Sequence, residues 1–323
     1  MRRREFITLI TGATVTRPFA AIAQEAGRTY RLGILMPFPR QAPPILVLLD
    51  ELRRRDFIAG QNLTIDYRDF GQHADLLPEY AAHLVKTQAD VLYVGGGGAI
   101  RTAQQATKTI PILGVTDDMV GEGLVESLAR PNGNTTGVSI LATELDGKRQ
   151  DVLIEAVPGL RKMAALADAN TTTDAKLQPL QVSARAHNVE LSVYRIATGE
   201  AIATAIETAQ ASGATALNVL ASPMLYAYRQ LIMDRVAALR LPAMYQWPEM
   251  AEEGGFAAYG PRLTEIPDLV ARVMVRLFRG AKVAETPVEQ PTKFELVINL
   301  KTANALGLSV PPTLLARADK VIE

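Results

Sequence analysis

Apolar and polar positions along the chain follow two alternating periods. Short, mostly apolar runs typical of strands are separated by segments in which apolar residues recur every three or four positions, as in amphipathic helices. Predicted strands cover residues 30–36, 63–67, 90–94, 110–115, 135–140, 162–167, 189–194, 214–220, 241–245, 255–259 and 294–298. Predicted helices cover residues 45–52, 76–85, 100–107, 121–130, 143–156, 173–186, 200–211, 223–239, 266–278 and 301–306. Strands that alternate with helices of about 10 to 15 residues predict parallel sheets with helices on both faces.

The alternation restarts at about residue 143, which predicts two successive doubly wound α/β lobes. Breaks in the pattern indicate that the chain passes between the lobes near residues 136–143, at residues 260–261 and near residues 286–291. Three such crossings would form a hinge. The expected division gives the first lobe residues 28–138 and 260–288, and the second lobe residues 139–259 and 289–323.

The first 23 residues have the features of a secretory signal peptide. Arginines at positions 2 to 4 precede a weakly apolar stretch, which ends in the small-residue cleavage pattern of residues 21–23 (AIA). Residues 3–7 (RREFI) also fit a twin-arginine signal. The alternative is an amphipathic helix of the mature fold. We expect export to the periplasm, with cleavage near Ala23.

The composition narrows the possible functions. The 323 residues contain no cysteine, which excludes disulfides, thiolate nucleophiles and cysteine zinc sites. The three histidines have no partner at metal-ligand spacing, and no apolar run reaches the ~18 residues of a membrane-spanning helix. Thirty-four basic residues balance 34 acidic ones, so nothing indicates nucleic-acid binding. Removal of the signal takes away four arginines and one glutamate and leaves a slightly acidic protein, for which we expect neither a metal nor a cofactor.

Candidate ligand-binding residues lie directly after the predicted strands, because an open parallel sheet binds ligands beyond the carboxyl ends of its strands. Phe38 follows the first strand, and Gly97 and Gly98 belong to a run of four glycines between the third strand and a helix. Free N–H groups at such a helix start could hold a carboxylate or a phosphate, and the alternative is a tight turn without a ligand. The spacing of a phosphate-binding loop is absent from the sequence.

Two adjacent carboxylates, Asp117 and Asp118, follow the fourth strand. We expect Asp118 to bind an ammonium group of the ligand, and the alternative is that it only caps the next helix. Adjacent residues rarely converge on one atom, and the sequence offers no evident partner. Acid-base catalysis and metal binding are therefore not expected here.

Four more candidates follow strands of the second lobe. Asn170 comes after its first strand, and Ser222 precedes a proline, which is a strong helix start. The Ser222 hydroxyl could cap the helix and also contact a ligand, whereas a hydrolase nucleophile would need a Gly-x-Ser-x-Gly motif. Tyr245 and Trp247 could stack on a ligand or fill the gap between the lobes. Two tyrosines of the helix after Ser222 are expected to face solvent or to pack, and they are Tyr226 and Tyr228.

Seven motifs are distributed over nearly the whole chain. They lie at residues 3–7 (RREFI), 60–65 (GQNLTI), 105–111 (QATKTIP), 123–134 (GLVESLARPNGN), 136–139 (TGVS), 146–148 (DGK) and 290–307 (QPTKFELVINLKTANALG). Together they resemble the substrate-binding component of ABC-type transporters, in the group that includes tryptophan- and tyrosine-binding proteins. The last motif is the most specific.

The resemblance implies a type I periplasmic binding fold, in which two lobes with a three-stranded hinge clamp a small ligand. It also implies export, delivery of the ligand to an ABC permease with its ATPase, and no catalysis. We expect a monomer whose ligand is an amino acid or a related carboxylate. The chain departs from the family pattern at Gly97–Gly98, where relatives usually have a hydroxyl pair, and at Met119, where they have proline. Residues that correspond to the family's cleft are Gly97, Gly98, Asp118, Asn170 and Ser222.

Other functions stay open at this stage. A two-domain α/β enzyme acting on a small metabolite would need a nucleophile, a metal set or an acid-base pair, and the sequence offers none that is identifiable. A sensory protein could use the same fold to signal to a membrane receptor. A transcriptional regulator would need an N-terminal pair of DNA-binding helices, where this chain has the predicted signal peptide.

Overall fold

The computed structural model describes residues 28–71, 73–140 and 145–323. Its strands are β1 Tyr30–Met36, β2 Leu63–Asp69, β3 Val91–Gly95, β4 Ile112–Thr116, β5 Thr135–Ser139, β6 Lys162–Asp168, β7 Glu190–Ile196, β8 Leu217–Val219, β9 Ala243–Tyr245, β10 Ala257–Gly260, β11 Glu295–Asn299 and β12 Lys320–Ile322. Its helices are α1 Pro43–Arg53, α2 Leu77–Lys86, α3 Gly97–Ala106, α4 Leu145–Ala156, α5 Asp174–Ala186, α6 Ala201–Ala211, α7 Pro223–Ala227, α8 Arg229–Ala238, α9 Pro248–Glu252, α10 Ile266–Phe278, α11 Leu300–Leu306 and α12 Pro312–Leu315.

The first lobe is built on a five-stranded parallel sheet with the order β2-β1-β3-β4-β5. Its central strands are buried on both faces, which is why they are nearly continuous apolar runs. Helices α2 and α3 cover one face, whereas α1 and α10 cover the other. Helix α10 comes late in the chain and returns to this sheet, where Val270 and Met274 are fully buried.

The second lobe is built on a seven-stranded sheet with the order β12-β11-β10-β9-β8-β6-β7. Strands β10 and β11 pair antiparallel, and all other neighbours pair in parallel. Helices α4 and α5 pack on one face, and α6 and α8 pack on the other. The C-terminal strands β11 and β12 thus belong to this sheet, and both lobes are doubly wound as predicted.

The lobes are joined at a hinge where separate stretches of chain meet. Val138, at the end of the first sheet, forms an isolated parallel bridge with Glu289. The Glu289 N–H donates to the Gly137 carbonyl at 2.8 Å, and the Ser139 N–H donates to the Glu289 carbonyl at 2.9 Å. The third stretch leaves β10 and leads to α10. These three crossings confirm the predicted fold class, while the exact limits of each lobe stay a prediction.

One predicted helix is wrong, and a second is interrupted. Residues 121–130 form turns and bends, because Gly123 has a positive φ of 66° and no regular helix can pass through it. The helix predicted over residues 223–239 is broken at Tyr228 into α7 and α8. The short elements that the periodicity did not indicate are α9, α12 and β12. The predicted signal peptide lies outside the described residues.

Candidate functional site

A cleft lies between the two lobes at the carboxyl ends of their strands. It contains two adjoining cavities, which we call the small cavity and the large cavity, with volumes of about 110 Å³ and 590 Å³. Both cavities are lined by residues from each lobe. Residues shared by the two linings are Pro37, Gly95, Gly96, Thr116, Asp117 and Pro223.

The small cavity is mainly apolar, and its lining includes four aromatic side chains. Phe38, Tyr93, Tyr226 and Trp247 line it, and Trp247 is only 5% exposed. The Tyr226 and Trp247 rings meet edge to face, with centroids 6.1 Å apart. The Tyr67 hydroxyl donates to the Phe38 carbonyl at 2.6 Å and thereby fixes the loop after β1. Such a wall suits the apolar part of a small organic ligand.

The large cavity is lined by more polar groups. From the first lobe it has the start of α3, with Gly97 and Gly98, and from the second lobe it has Asp168, Asn170 and Glu200. The Asn170 N–H donates to the Asp168 Oδ1 at 2.8 Å, so that the carboxylate is held by its own loop.

Ser222 connects this loop to the helix that follows β8. Its Oγ donates to the Asp168 Oδ2 at 2.6 Å and accepts the N–H groups of Met224 and Leu225 at 3.1 and 3.3 Å. The predicted helix cap is therefore present. Because these three bonds engage the Ser222 hydroxyl, its side chain orders the wall of the small cavity.

Asp117 lies where the two cavities meet. The residue is 6% exposed, and no hydrogen-bond donor among the described residues reaches its carboxylate. Burial, with a smaller contribution from the negative charges of Glu122 and Asp146, raises the pKa of Asp117 to about 7, and the positive charges of Arg149 and Lys176 only partly oppose this increase. An unpartnered buried carboxyl of this kind is suited to receive a cation from a ligand.

A second carboxylate stands close to the start of α3. The Thr116 hydroxyl donates to the Glu122 Oε1 at 2.7 Å. A Cβ atom added to Gly97 would lie 1.7 Å from the Glu122 Oε2, so the carboxylate occupies the space that a side chain at position 97 would take. A carboxylate does approach this helix start, but it belongs to the chain itself.

Within residues 28–71, 73–140 and 145–323, no three His, Cys, Asp or Glu side chains come together as a metal site requires. In the same part of the chain, no helix is long and apolar enough to span a membrane.

Comparison with known proteins identifies the family. Residues 47–322 match the family model described as ABC transporter substrate binding protein. The chain belongs to this family. A tyrosine-binding protein of Clostridioides difficile (strain R20291) is 24% identical to the chain over 263 residues, which are 80% of this chain and 74% of that protein.

Two solved structures share the fold of this substrate-binding protein. A conserved domain protein of Vibrio cholerae superposes with a TM-score of 0.82 at 22% identity, over 91% of this chain and all of that one. An ABC domain of Streptococcus pneumoniae in complex with L-Trp superposes with a TM-score of 0.78, at the same identity and coverage. The fold is the type I periplasmic binding fold expected from the sequence.

Most residues predicted from strand ends of this substrate-binding protein line its cleft. They are Phe38, Gly97, Gly98, Asn170, Ser222 and Trp247. Asp118 and Tyr245 line neither cavity. The Asp118 Oδ1 accepts the Gly121 N–H at 2.7 Å and so fixes a turn, whereas Tyr245 is completely buried in the core.

The sequence interpretation missed three residues of the cleft. Asp117, rather than its neighbour Asp118, lies at the junction of the cavities. Tyr226 lines the small cavity and Tyr228 lines the large one, and both also pack against the core, as expected from the sequence. Their position immediately after Ser222, at a strand end, was the signal that could have found them.

Proposed function

We propose that this protein is a periplasmic solute-binding protein that clamps an amino acid or a related small carboxylate between its lobes. The observation that carries the proposal is the buried Asp117 carboxylate at the junction of the two cavities. A ligand that brings an ammonium group to Asp117 supplies the partner that the carboxylate lacks, and its apolar side chain fills the small cavity. Binding involves no chemical change of the ligand.

The residues of the cleft receive distinct roles in this proposal. Phe38 and Trp247 cover the apolar side chain, and Asp117 takes the ammonium role first expected of Asp118. Asn170 offers a donor to a ligand carboxylate in the large cavity, where Gly98 leaves space because a Cβ atom added to it would meet nothing within 4 Å. The remaining candidates hold these groups in place, namely Gly97, Asp118, Ser222 and Tyr245.

The relatives support an apolar or aromatic side chain. One is named as a tyrosine-binding protein, and another is a complex with L-Trp. The aromatic wall of the small cavity is compatible with such a side chain. We therefore propose aromatic and large aliphatic amino acids as the first compounds to examine.

Native mass spectrometry of the purified protein tests the proposal, since a closed binding protein retains its ligand. We expect a retained amino acid, and we expect that same compound to raise the melting temperature of the emptied protein in a panel of the 20 common amino acids. Turnover of a bound compound would favour an enzyme instead. Absence of binding across the panel, with a non-amino compound retained, would reject the amino-acid class.

Export and partners complete the proposal. We propose that residues 1–23 are removed as a signal peptide and that the monomeric product delivers its ligand to an ABC permease and its ATPase. N-terminal sequencing of the exported protein should begin near Gln24. Replacement of Arg3 and Arg4 by lysine should block export only if the twin-arginine route is used. A full-length cytoplasmic product would contradict the proposed location.

A further inference from the structure

The Glu122 carboxylate lies at the start of α3 because position 97 is a glycine. The Thr116 hydroxyl holds the Glu122 Oε1 at 2.7 Å, and the Oε2 fills the space beside Gly97. Any side chain at position 97 would displace this carboxylate. Gly97 and Glu122 therefore act as a matched pair.

This pair changes the electrostatics of the helix start. The positive end of the ten-residue helix α3 favours an anion. Glu122 already supplies a negative charge there, so a ligand carboxylate placed near Gly98 would meet a like charge. The helix start is thus less favourable to a ligand acid group than the glycine run alone predicts.

The charged residues that line the two cavities also favour a cationic ligand. The ionisable acids among the lining residues are Asp117, Asp168 and Glu200, and the described lining includes no lysine or arginine. Asp168 has hydrogen-bond partners in Ser222 and Asn170. Asp117 has none among the described residues although it is 94% buried. Arg149 and Lys176 act on this carboxylate through space, but neither donates a hydrogen bond to it, so a ligand can provide the direct cationic partner.

We propose that Glu122 is a specificity-determining residue. Its charge makes the cleft prefer a ligand with a net positive charge, which consists of an ammonium group on an apolar body, over the free amino acid with the same side chain. This inference rests on the proposed function and specifies its substrate class. The shared chemistry is that of simple amines and of amino-acid amides or esters. The ammonium group is the principal recognition element, and the ligand carboxylate is dispensable.

Isothermal titration calorimetry at pH 8 with two series of probes tests this inference. One series is L-tryptophan, L-tryptophanamide, tryptamine and N-acetyl-L-tryptophan, and the other is built in the same way on L-phenylalanine. We expect the amide to bind about tenfold more tightly than the free amino acid, because it lacks the charge that Glu122 repels. The amine has the ammonium group but no amide group, so its affinity shows whether the ammonium alone is sufficient for binding. The N-acetyl compound, which has no ammonium, should bind about a hundredfold more weakly.

The variant Glu122→Gln isolates the contribution of the Glu122 charge, because its amide oxygen still accepts the Thr116 hydroxyl. We expect the ratio of amide to amino-acid affinity to fall about tenfold in this variant. Glu126→Gln makes the same charge change on the same segment, at an exposed residue that does not approach Gly97, and should leave the ratio unchanged. Gly97→Ala retains the charge but displaces the carboxylate, and it should lower the ratio as well.

Several results would overturn the inference. The free amino acid could bind more tightly than its amide and its amine, Glu122→Gln could leave the ratio unchanged, or the N-acetyl compounds could bind as well as the amides. The proposed function would stand in the first two cases, because an amino acid would still bind through its ammonium group. Equal binding of the N-acetyl compounds would remove the ammonium partner of Asp117, and native mass spectrometry of the retained compound would then decide the proposed function. If no probe of either series binds, the charge preference is rejected, and native mass spectrometry of the retained compound then decides the proposed function separately.

Discussion

At the scale of single residues, the sequence could indicate the strand end but not the side chain that faces the cleft. Asp117 and Asp118 are adjacent, and the direction of each depends on the loop that follows β4. The loop turns the Asp118 carboxylate toward the Gly121 N–H and leaves Asp117 at the junction of the cavities. The roles expected of these two neighbouring residues are thus exchanged. The local sequence pattern does not indicate which of the two carboxylates faces the cleft.

The position of Asp117 predicts a pH-dependent affinity. Its pKa is about 7 in the free protein, and a bound ammonium group would lower that pKa because it stabilises the charged carboxylate. Binding then releases a proton, so affinity should fall by about tenfold for each pH unit below 7 until the lowered pKa is reached. Above pH 7 affinity should level off, and it should fall again only where the ligand ammonium group itself loses its proton. Titration calorimetry of the amino acid found by native mass spectrometry, in buffers of different ionisation enthalpy, measures both the affinity and the proton release.

The variant Asp117→Asn provides the control for this pH dependence. It should lose about a hundredfold in affinity at pH 8 and should show no proton release. A carboxyl group whose pKa is raised on folding lowers the free energy of unfolding as pH rises from about 4 to 7, because the folded state disfavours its charged form. Asp117→Asn removes this loss, so the substitution should increase the stability of the ligand-free protein more at pH 8 than at pH 4. Retention of both tight binding and its pH dependence in the variant would exclude Asp117 as the ammonium partner.

A second prediction at this scale concerns the buried ion pair of α4. Arg149 is completely buried, donates to the Asp146 Oδ1 at 2.7 Å and donates to the Tyr259 carbonyl at 3.0 Å. Asp146 in turn accepts the Ala221 N–H at 3.2 Å. Arg149→Met would leave a buried carboxylate without its partner and should cost about 3–5 kcal/mol of unfolding free energy, measured by urea denaturation.

The control for this buried ion pair is an exposed ion pair with the same distance between its nitrogen and oxygen atoms. Arg195 and Asp174 are also 2.7 Å apart, with side chains 38% and 95% exposed. Arg195→Met should cost less than about 1 kcal/mol, because solvent screens the charges and either partner can be hydrated alone. Equal losses in the two variants would show that burial does not set the cost.

At the scale of elements, the periodicity of apolar residues identified the long strands and helices. It did not identify the places where contacts with distant parts of the chain determine the local structure. Strand β1 and helix α10 agree with the predicted ranges, since their apolar positions are continuous or strictly spaced. The helix predicted over residues 223–239 breaks at Tyr228, whose ring packs over Gly199, 29 positions earlier in the chain. The helical spacing of apolar residues in the sequence gives no sign of a contact between positions so far apart.

The pairing of β4 with β5 predicts a severe effect at Gly137. This residue lies opposite Gly114 and has a φ of 151°, and a Cβ atom added to it would be 1.8 Å from the Gly114 carbonyl oxygen. Backbone cannot yield as a flexible side chain does, so Gly137→Ala should cost about 3 kcal/mol or more in unfolding free energy.

Gly147→Ala is the matched control for this substitution. Gly147 lies in α4, and a Cβ atom added there would meet nothing within 4 Å. The same chemical change should therefore stabilise the protein by up to about 1 kcal/mol, through helix propensity. Thermal and urea denaturation of both variants measure the contrast, and a neutral Gly137→Ala would mean that the two strands can separate.

At the scale of the whole molecule, alternation of strands and helices was sufficient to predict two doubly wound lobes. The crossings were also indicated, because glycine and proline interrupt the pattern at each of them. The pairing within the hinge could not be predicted, since the Val138–Glu289 bridge joins residues 151 positions apart. The Thr136 hydroxyl adds a hydrogen bond to the Thr286 carbonyl at 2.7 Å, so the crossings near residues 136–143 and 286–291 are held together.

This hinge predicts closure on ligand binding. The cleft is lined from both lobes, so a ligand that contacts Asp117 on one side and Trp247 on the other stabilises the state in which the lobes are close. Small-angle scattering should show a smaller radius of gyration with saturating ligand, and the ligand at a hundredfold excess over its Kd should add about 2.7 kcal/mol of stability. Asp117→Asn at the same ligand concentration should show neither change, because it has lost its contact across the cleft. A rise in melting temperature without compaction would mean that the ligand binds to one lobe, and the hinge would then have no part in its capture.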